Sequence, residues 1–391
     1  MNFNARAFFA AAVLWAVFST SARAETVIRV ATFNASLQRD AAGKLLADLN
    51  SGSPQAAKIA AVIQTVRPDV VLLNEFDYDK DGEALEVFRE KFLAVPQGEY
   101  SPIAFRFAFV AAVNTGEPTG LDLNGDGASD GPADAYGFGR HPGQYGMVVL
   151  SQFPIHSGQV RTFRKFLWRD MPAARLPKDP ATGEMFYSEA ALARLRLPSK
   201  SVWDVPIQTP SGAVHLIASH PTPPVFDNDA DYNGLRNADE IRLVADYVDA
   251  RRSEYIYDDA GVRGGLAAGE PFVIAGDLNA DPADGESTGR PILQLLRHRR
   301  IRATPIPSST GGVAAGLSGV ANRRQLGNPS FDTGKFGPQV GNLRIDYVLP
   351  STELRIVKSG VFWPEPGEPG AELLDATDHR LVWCDLSLPA P

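Results

Sequence analysis

Cysteine is nearly absent, with one thiol, Cys384, in 391 residues. A lone cysteine closes no disulfide within the chain and builds no thiolate zinc site, which excludes disulfide-stapled scaffolds and zinc ribbons together. Cys384 lies in the apolar run Leu381-Val382-Trp383-Cys384 and reads as a small buried hydrophobe. Positive charge is also short. Lys and Arg number 38 against 46 Asp and Glu, a formal net charge of −8. The chain therefore lacks the global basic footprint that sequence-independent binding of nucleic acid requires. Either a small substrate is implied, or metal ions supply the missing positive charge. Past the N-terminal stretch no run of about 18 apolar residues occurs, so no transmembrane helix is expected. Solenoid repeats are absent as well.

Glycine and proline are abundant, at 35 and 30 residues, and predict many loops. Hydrophobic residues at 44% and charged residues at 21% are ordinary for a globular chain with a sizeable core. At the N-terminus Arg6 is followed by an apolar stretch from Phe8 to Phe18 and by Ala22 and Ala24, which make a small-residue cleavage site. Residues 1–24 read as a secretory signal peptide. The mature chain is then expected to be secreted or periplasmic, without stable membrane insertion. It would carry 36 basic against 46 acidic residues, a net charge of −10. Residues 25–391 read as one domain with loop insertions near 114–144, 161–200 and 305–342.

Short β-branched runs predict strands over 27–33, 69–73, 105–113, 145–150, 202–207, 214–219, 272–275, 343–349, 354–363 and 380–386. Apolar residues at helical spacing predict helices over 55–66 and 238–249, the second with Asn237 as N-cap. Interleaved strands and helices, with several consecutive strands, indicate an α+β chain with more than one sheet.

Polar residues recur where these strands end. Asn34 follows Val30-Ala31-Thr32-Phe33, Glu75 follows Leu72-Leu73-Asn74, and His220 follows Ile217-Ala218-Ser219. Asp277 and Asn279 follow Val273-Ile274-Ala275-Gly276, Asp346 alternates with apolar neighbours, and Asp378-His379 precede the last strand. Strand ends on one edge of packed sheets can converge on a cleft. Carboxylate and amide oxygens suit a hard divalent ion, and a histidine beside a carboxylate suits proton transfer. In order, the set fits one metal-assisted reaction.

The stretches TFN (32–34), LLNE (72–75), ASHP (218–221), GDLNADP (276–282), RIDYVLP (344–350) and TDHR (377–380) together resemble the endonuclease/exonuclease/phosphatase superfamily of metal-dependent phosphoesterases. The resemblance spans nearly the whole mature chain. It implies a four-layer α/β sandwich, two packed mixed β-sheets flanked by helices, with the site at one rim. It implies Glu75 as principal ligand of Mg²⁺ or Mn²⁺, with Asp378 on the same cation and Asn34 as an additional metal or phosphate contact. Asp277 is implied to orient or deprotonate water, and Asn279 to donate to a phosphate oxygen. His379 with its partner Asp346 is implied as acid/base or phosphate ligand, and His220 as a phosphate or leaving-group contact.

Two features stand outside that set. Asp122, Asn124, Asp126 and Asp130, with Gly127 between, follow the first nine positions of a calcium loop and suggest a structural Ca²⁺, although position twelve is Ala133. Arg164, Lys165 and Arg169 alternate with Phe163, Phe166 and Trp168, a pattern that either stacks and neutralises a substrate or packs its aromatics inward. Arg140 and His141 are weaker substrate-contact expectations. The reading is an exported metal-dependent hydrolase of a phosphate monoester or diester, with a small molecule or lipid headgroup favoured over nucleic acid. A secreted nuclease is the alternative, and a catalytically silent binding protein on the same scaffold is the alternative from another class. No protein partner is evident.

Overall fold

The structure, a computed structural model, describes residues 26–388; residues 1–24, expected from the sequence to be a signal peptide, lie outside the described residues. In chain order the strands are β1 (Val27–Leu37), β2 (Val70–Phe76), β3 (Phe107–Phe109), β4 (Met147–Ser151), β5 (Arg161–Thr162), β6 (Val202–Thr209) and β7 (Gly212–Ser219). They continue with β8 (Phe272–Asp277), β9 (Gly334–Lys335), β10 (Asn342–Leu343), β11 (Asp346–Pro350), β12 (Arg355–Val361) and β13 (Val382–Ser387). One six-stranded sheet has the order β12-β13-β1-β2-β4-β3, one five-stranded sheet the order β11-β8-β7-β6-β5, and β9 pairs with β10. Both large sheets are mixed: β1 runs parallel to β2, β7 runs parallel to β8, and the remaining pairings are antiparallel.

Alternation along the strands builds the layers. Ile28, Val30, Val70, Leu72, Met147 and Val149 of the first sheet meet Leu216, Ala218, Val273, Ala275 and Val348 of the second in one buried cluster. The intervening residues Ala31, Phe33, Val71, Leu73, Val148 and Leu150 face the other way, onto the helices Lys44–Asn50, Pro54–Val66 and Glu83–Phe88. On the far side Ile217, Phe272, Ile274, Tyr347 and Leu349 pack against the helix Tyr232–Tyr247. Helix, sheet, sheet and helix therefore stack as the four layers of an α/β sandwich. Cys384 is fully buried between the sheets, as its apolar run implies.

Several local expectations change. The helix expected over 238–249 is Tyr232–Tyr247 and starts after Asp231, whose φ is 52°. Asn237 is thus a mid-helix residue and not a cap. Arg236, Asn237, Asp239 and Glu240 are buried, because the loops around them take their hydrogen bonds. The strand expected over 105–113 shortens to Phe107–Phe109. The 305–342 stretch is not all loop: it holds the helix Thr310–Gly316 and the β9–β10 hairpin. Phe163, Phe166 and Trp168 of the 161–200 stretch are buried, with ring centroids 5.0 Å, 4.9 Å and 6.5 Å apart for Phe163–Tyr247, Phe166–Tyr257 and Trp168–Tyr187. These rings are core, so stacking on a substrate is ruled out for them.

Candidate active site

The C-terminal ends of β1, β2, β7 and β8 meet the start of β11 and the turn before β13 in one buried hollow. The backbone is forced there. Glu75, Ser36, Tyr145 and Asn279 all take positive φ, between 47° and 57°, a conformation that side-chain-bearing residues rarely hold. At Gly276 (φ 151°) a Cβ would stand 1.8 Å from the Ser219 carbonyl oxygen, so only glycine lets β7 and β8 close side by side just before Asp277.

Asn34 sits at the centre. Its amide nitrogen donates to Glu75 Oε1 and to Asp277 Oδ2, each at 3.1 Å, while its Oδ1 accepts from the Ser36 amide at 3.2 Å. Asn34 here presents a donor to the two carboxylates, and its oxygen is engaged at the bulge in β1. Asp277 is held from both sides, its amide donating to Asn74 Oδ1 (3.2 Å) and its Oδ1 accepting from the Asn279 amide (2.9 Å). The Asn279 side chain donates to the Pro221 carbonyl at 3.2 Å, at the foot of the His220 loop.

Nδ1 of His379 lies 2.9 Å from Asp346 Oδ2, and its Nε2 lies 3.7 Å from Asp277 Oδ2. Thr333 Oγ1 donates to the same Asp346 oxygen at 2.8 Å. Burial pulls the His379 imidazolium down, but the charges of Asp346 and Asp277 outweigh it and push its pKa up to about 10. With Nδ1 committed to Asp346, a proton is carried on Nε2, facing Asp277. Burial pushes Asp277 up to about 7, against the pull of His379. His220 Nε2 is 3.6 Å from Asp277 Oδ2, and burial, with the charges of Lys200 and His379, holds its pKa well below the ordinary value. The two histidines therefore differ: His379 is a held cation and His220 a neutral imidazole whose buried Nδ1 has no partner.

Burial also raises Glu75. Asp378 stands at the rim with about half its side chain exposed, 3.8 Å from His379 Nε2, and its charge adds to the rise at Glu75. Lys200, a residue that no local pattern marks, is buried in the same hollow. Burial lowers its pKa while Glu240, Glu75 and Asp277 oppose that fall, and its ammonium lies 3.4 Å from the Pro221 carbonyl.

Among the described residues, one group of three carboxylate or imidazole ligand atoms gathers within 4.8 Å, that of Asp277, Asp346 and His379. Inside it the Asp346–His379 pair is already hydrogen-bonded. On the oxygen-rich side of the hollow, burial desolvates Glu75, and Asp378 stands half-exposed at the rim; their carboxylate oxygens suit a hard divalent ion, with Asp277 beside them. Asp122, Asp126 and Asp130 do not gather in this way. Asp122 accepts the Gly125 and Gly127 amides and Asp126 accepts the Ala128 amide, while buried Asp134 closes the loop by accepting from Leu123 and Gly131. The acidic loop is tied by its own backbone.

The expected substrate contacts scatter. Arg164 pairs with Glu117 and lines a cleft of about 260 Å³ with Tyr78, Lys80 and Gly143, beside the end of β2. Arg140 reaches Asp40 at 3.3 Å, and His141 Nε2 lies 3.0 Å from the Arg39 carbonyl oxygen. Lys165 and Arg169 are exposed on the surface of the 161–200 stretch.

Comparison with known proteins agrees with this geometry. The model of the Endonuclease/Exonuclease/phosphatase family matches residues 31–379. Among solved structures, an endonuclease/exonuclease/phosphatase from Beutenbergia cavernae is similar at 21% identity and TM-score 0.50, covering 93% of this chain and 72% of that one. A sphingomyelinase C from Streptomyces griseocarneus is similar at 15% identity and TM-score 0.46, covering 92% and 99%. TDP2 from Caenorhabditis elegans is similar at 13% identity and TM-score 0.43, covering 93% and 74%. No curated protein sequence matches the chain. With a family model spanning nearly all of its described length, and with paired sheets that end in carboxylates, amides and a carboxylate-bound histidine, the chain belongs to the endonuclease/exonuclease/phosphatase family of metal-dependent phosphoester hydrolases.

Proposed function

We propose that this hydrolase is exported and acts on the phosphate ester of a small molecule or lipid headgroup in preference to nucleic acid. The observation that carries the reading is the hollow itself: Glu75, Asp277, His220 and the Asp346–His379 pair converge from far-apart segments around Asn34. The net charge of −8 supports a compact substrate over a polyanion. Export rests on the sequence of residues 1–24. No helix among the described residues is long and apolar enough to cross a membrane.

A divalent ion such as Mg²⁺, held by Glu75 with Asp378, would neutralise charge on a phosphate oxygen and make a nearby water more acidic. The chain's own groups do the rest. The His379 cation, fixed by Asp346, presents Nε2–H to a phosphate oxygen where negative charge grows. Asp277, with its pKa near neutrality, accepts the proton of an attacking water. Neutral His220 and the Asn279 side chain orient the phosphate. Lys200 adds positive charge from the floor of the hollow.

A panel of plasmid DNA, RNA, sugar phosphates, inositol phosphates and phospholipids, each with Mg²⁺, Mn²⁺ and Ca²⁺, tests the substrate class. Turnover of the small or lipid esters well above that of DNA and RNA is the expected result. Faster hydrolysis of DNA or RNA would overturn the preference and favour a secreted nuclease.

A further inference from the structure

Exposed apolar side chains are not spread evenly over this molecule. Of twelve large hydrophobic side chains that face solvent among the described residues, five lie between residues 313 and 340, with Leu317 79%, Leu326 80% and Val320 54% exposed. The charges of the 305–342 stretch are equally one-sided. Arg323, Arg324 and Lys335 are exposed, and its single acid, Asp332, is buried. A chain of net negative charge therefore carries one patch that is both cationic and apolar.

The stretch is tied by side-chain hydrogen bonds and joined to the active site. Asn322 donates to the carbonyls of Ala315 (3.1 Å) and Ser318 (2.8 Å) and accepts from the Asn342 amide (2.8 Å), and Gln325 donates to the Val340 carbonyl (3.3 Å). From there the chain passes directly to the catalytic imidazole. Lys335 N–H donates to the Asp378 carbonyl at 2.8 Å, and the Phe336 ring stands edge-on to His379 with centroids 5.2 Å apart.

Exposed leucine and valine beside arginine and lysine, with the one adjoining acid, partly buried Asp284, occupied by the Leu326 and Gly327 amides, match an anionic bilayer surface. Apolar side chains enter the acyl boundary while the cations meet the headgroups. A polyanion in water would use the arginines and leave the leucines exposed. We propose that residues 313–340 form an interfacial docking surface for anionic lipid bilayers, which brings a headgroup phosphoester to the hollow beside His379. The inference rests on the phosphoesterase reading and names the physical form of its substrate.

The test is co-sedimentation of the full chain with phosphatidylcholine vesicles, with and without phosphatidylglycerol, in EDTA so that catalysis plays no part. The variants are Leu317→Ser with Leu326→Ser, and Arg323→Glu with Arg324→Glu. The wild type is expected to bind phosphatidylglycerol vesicles, and each double variant to lose about tenfold or more in binding. Thermal midpoints and hydrolysis of soluble bis(p-nitrophenyl) phosphate are expected to stay at wild-type values. Wild type that remains in the supernatant, or variants that sediment as well as wild type, would overturn the proposal. So would short duplex DNA bound through Arg323 and Arg324 while vesicles are ignored. Vesicle binding by a chain that hydrolyses no phosphoester supports docking and counts against the functional reading alone.

Discussion

His379 and His220 lie on either side of the same Asp277 oxygen and are held in opposite charge states. Their surroundings make the difference: Asp346 and Asp277 hold the charge on His379, while burial and the charges of Lys200 and His379 keep His220 neutral, its Nδ1 without a partner. Replacing His379 by Ala removes the held proton and is expected to lower kcat by about 10²–10⁴ with folding intact; wild-type rates in that variant would reject the assignment. Asp346→Asn is subtler. The carboxylate is a main reason the imidazolium persists toward pH 10, so its loss lowers the folded pKa of His379. The proton then leaves at lower pH, and the alkaline limb of the kcat–pH profile is expected to move toward neutral; an unmoved limb would show that Asp346 does not set the charge. Asn34, Glu75, Asp277 and His379 were each readable from strand-end positions. Lys200 and Thr333 were not, because a lone lysine before a strand and a threonine inside a glycine-rich loop gain meaning only from what surrounds them in three dimensions.

Elements were legible where burial alternates with a clear period. The strands around Val30, Leu72, Leu216 and Val273 face one core with even positions or odd ones, and that period shows in the residues themselves. The helix Tyr232–Tyr247 was misplaced at its start because its buried polar residues resemble a cap and a solvent face. In fact Asn237 donates to the carbonyls of Thr222 and Leu278, and Glu240 accepts the amides of Ser199 and Thr222. The helix thereby ties together the three loops that carry Lys200, His220 and Asn279. Gly276 does the equivalent work between strands. Gly276→Ala drives a methyl into the Ser219 carbonyl and is expected to cost about 3 kcal/mol in urea unfolding; an unchanged midpoint would show that β7 and β8 have slack beside the site.

At the scale of the whole molecule, two sheets pack face to face and leave their polar strand ends in a single rim hollow, while the 305–342 stretch adds an apolar, cationic surface next to it. Neither fact is local. The sandwich was accessible through the ordered motifs from Asn34 to His379, whereas the inward packing of Phe163 and Phe166 depended on Tyr247 and Tyr257, which come from another part of the chain. The most direct measurement is hydrolysis of bis(p-nitrophenyl) phosphate before and after exhaustive dialysis against EDTA, followed by Mg²⁺ addition. Loss of turnover on dialysis and its return with Mg²⁺ is the expected result. Full turnover in excess chelator would contradict metal-dependent chemistry in this hollow.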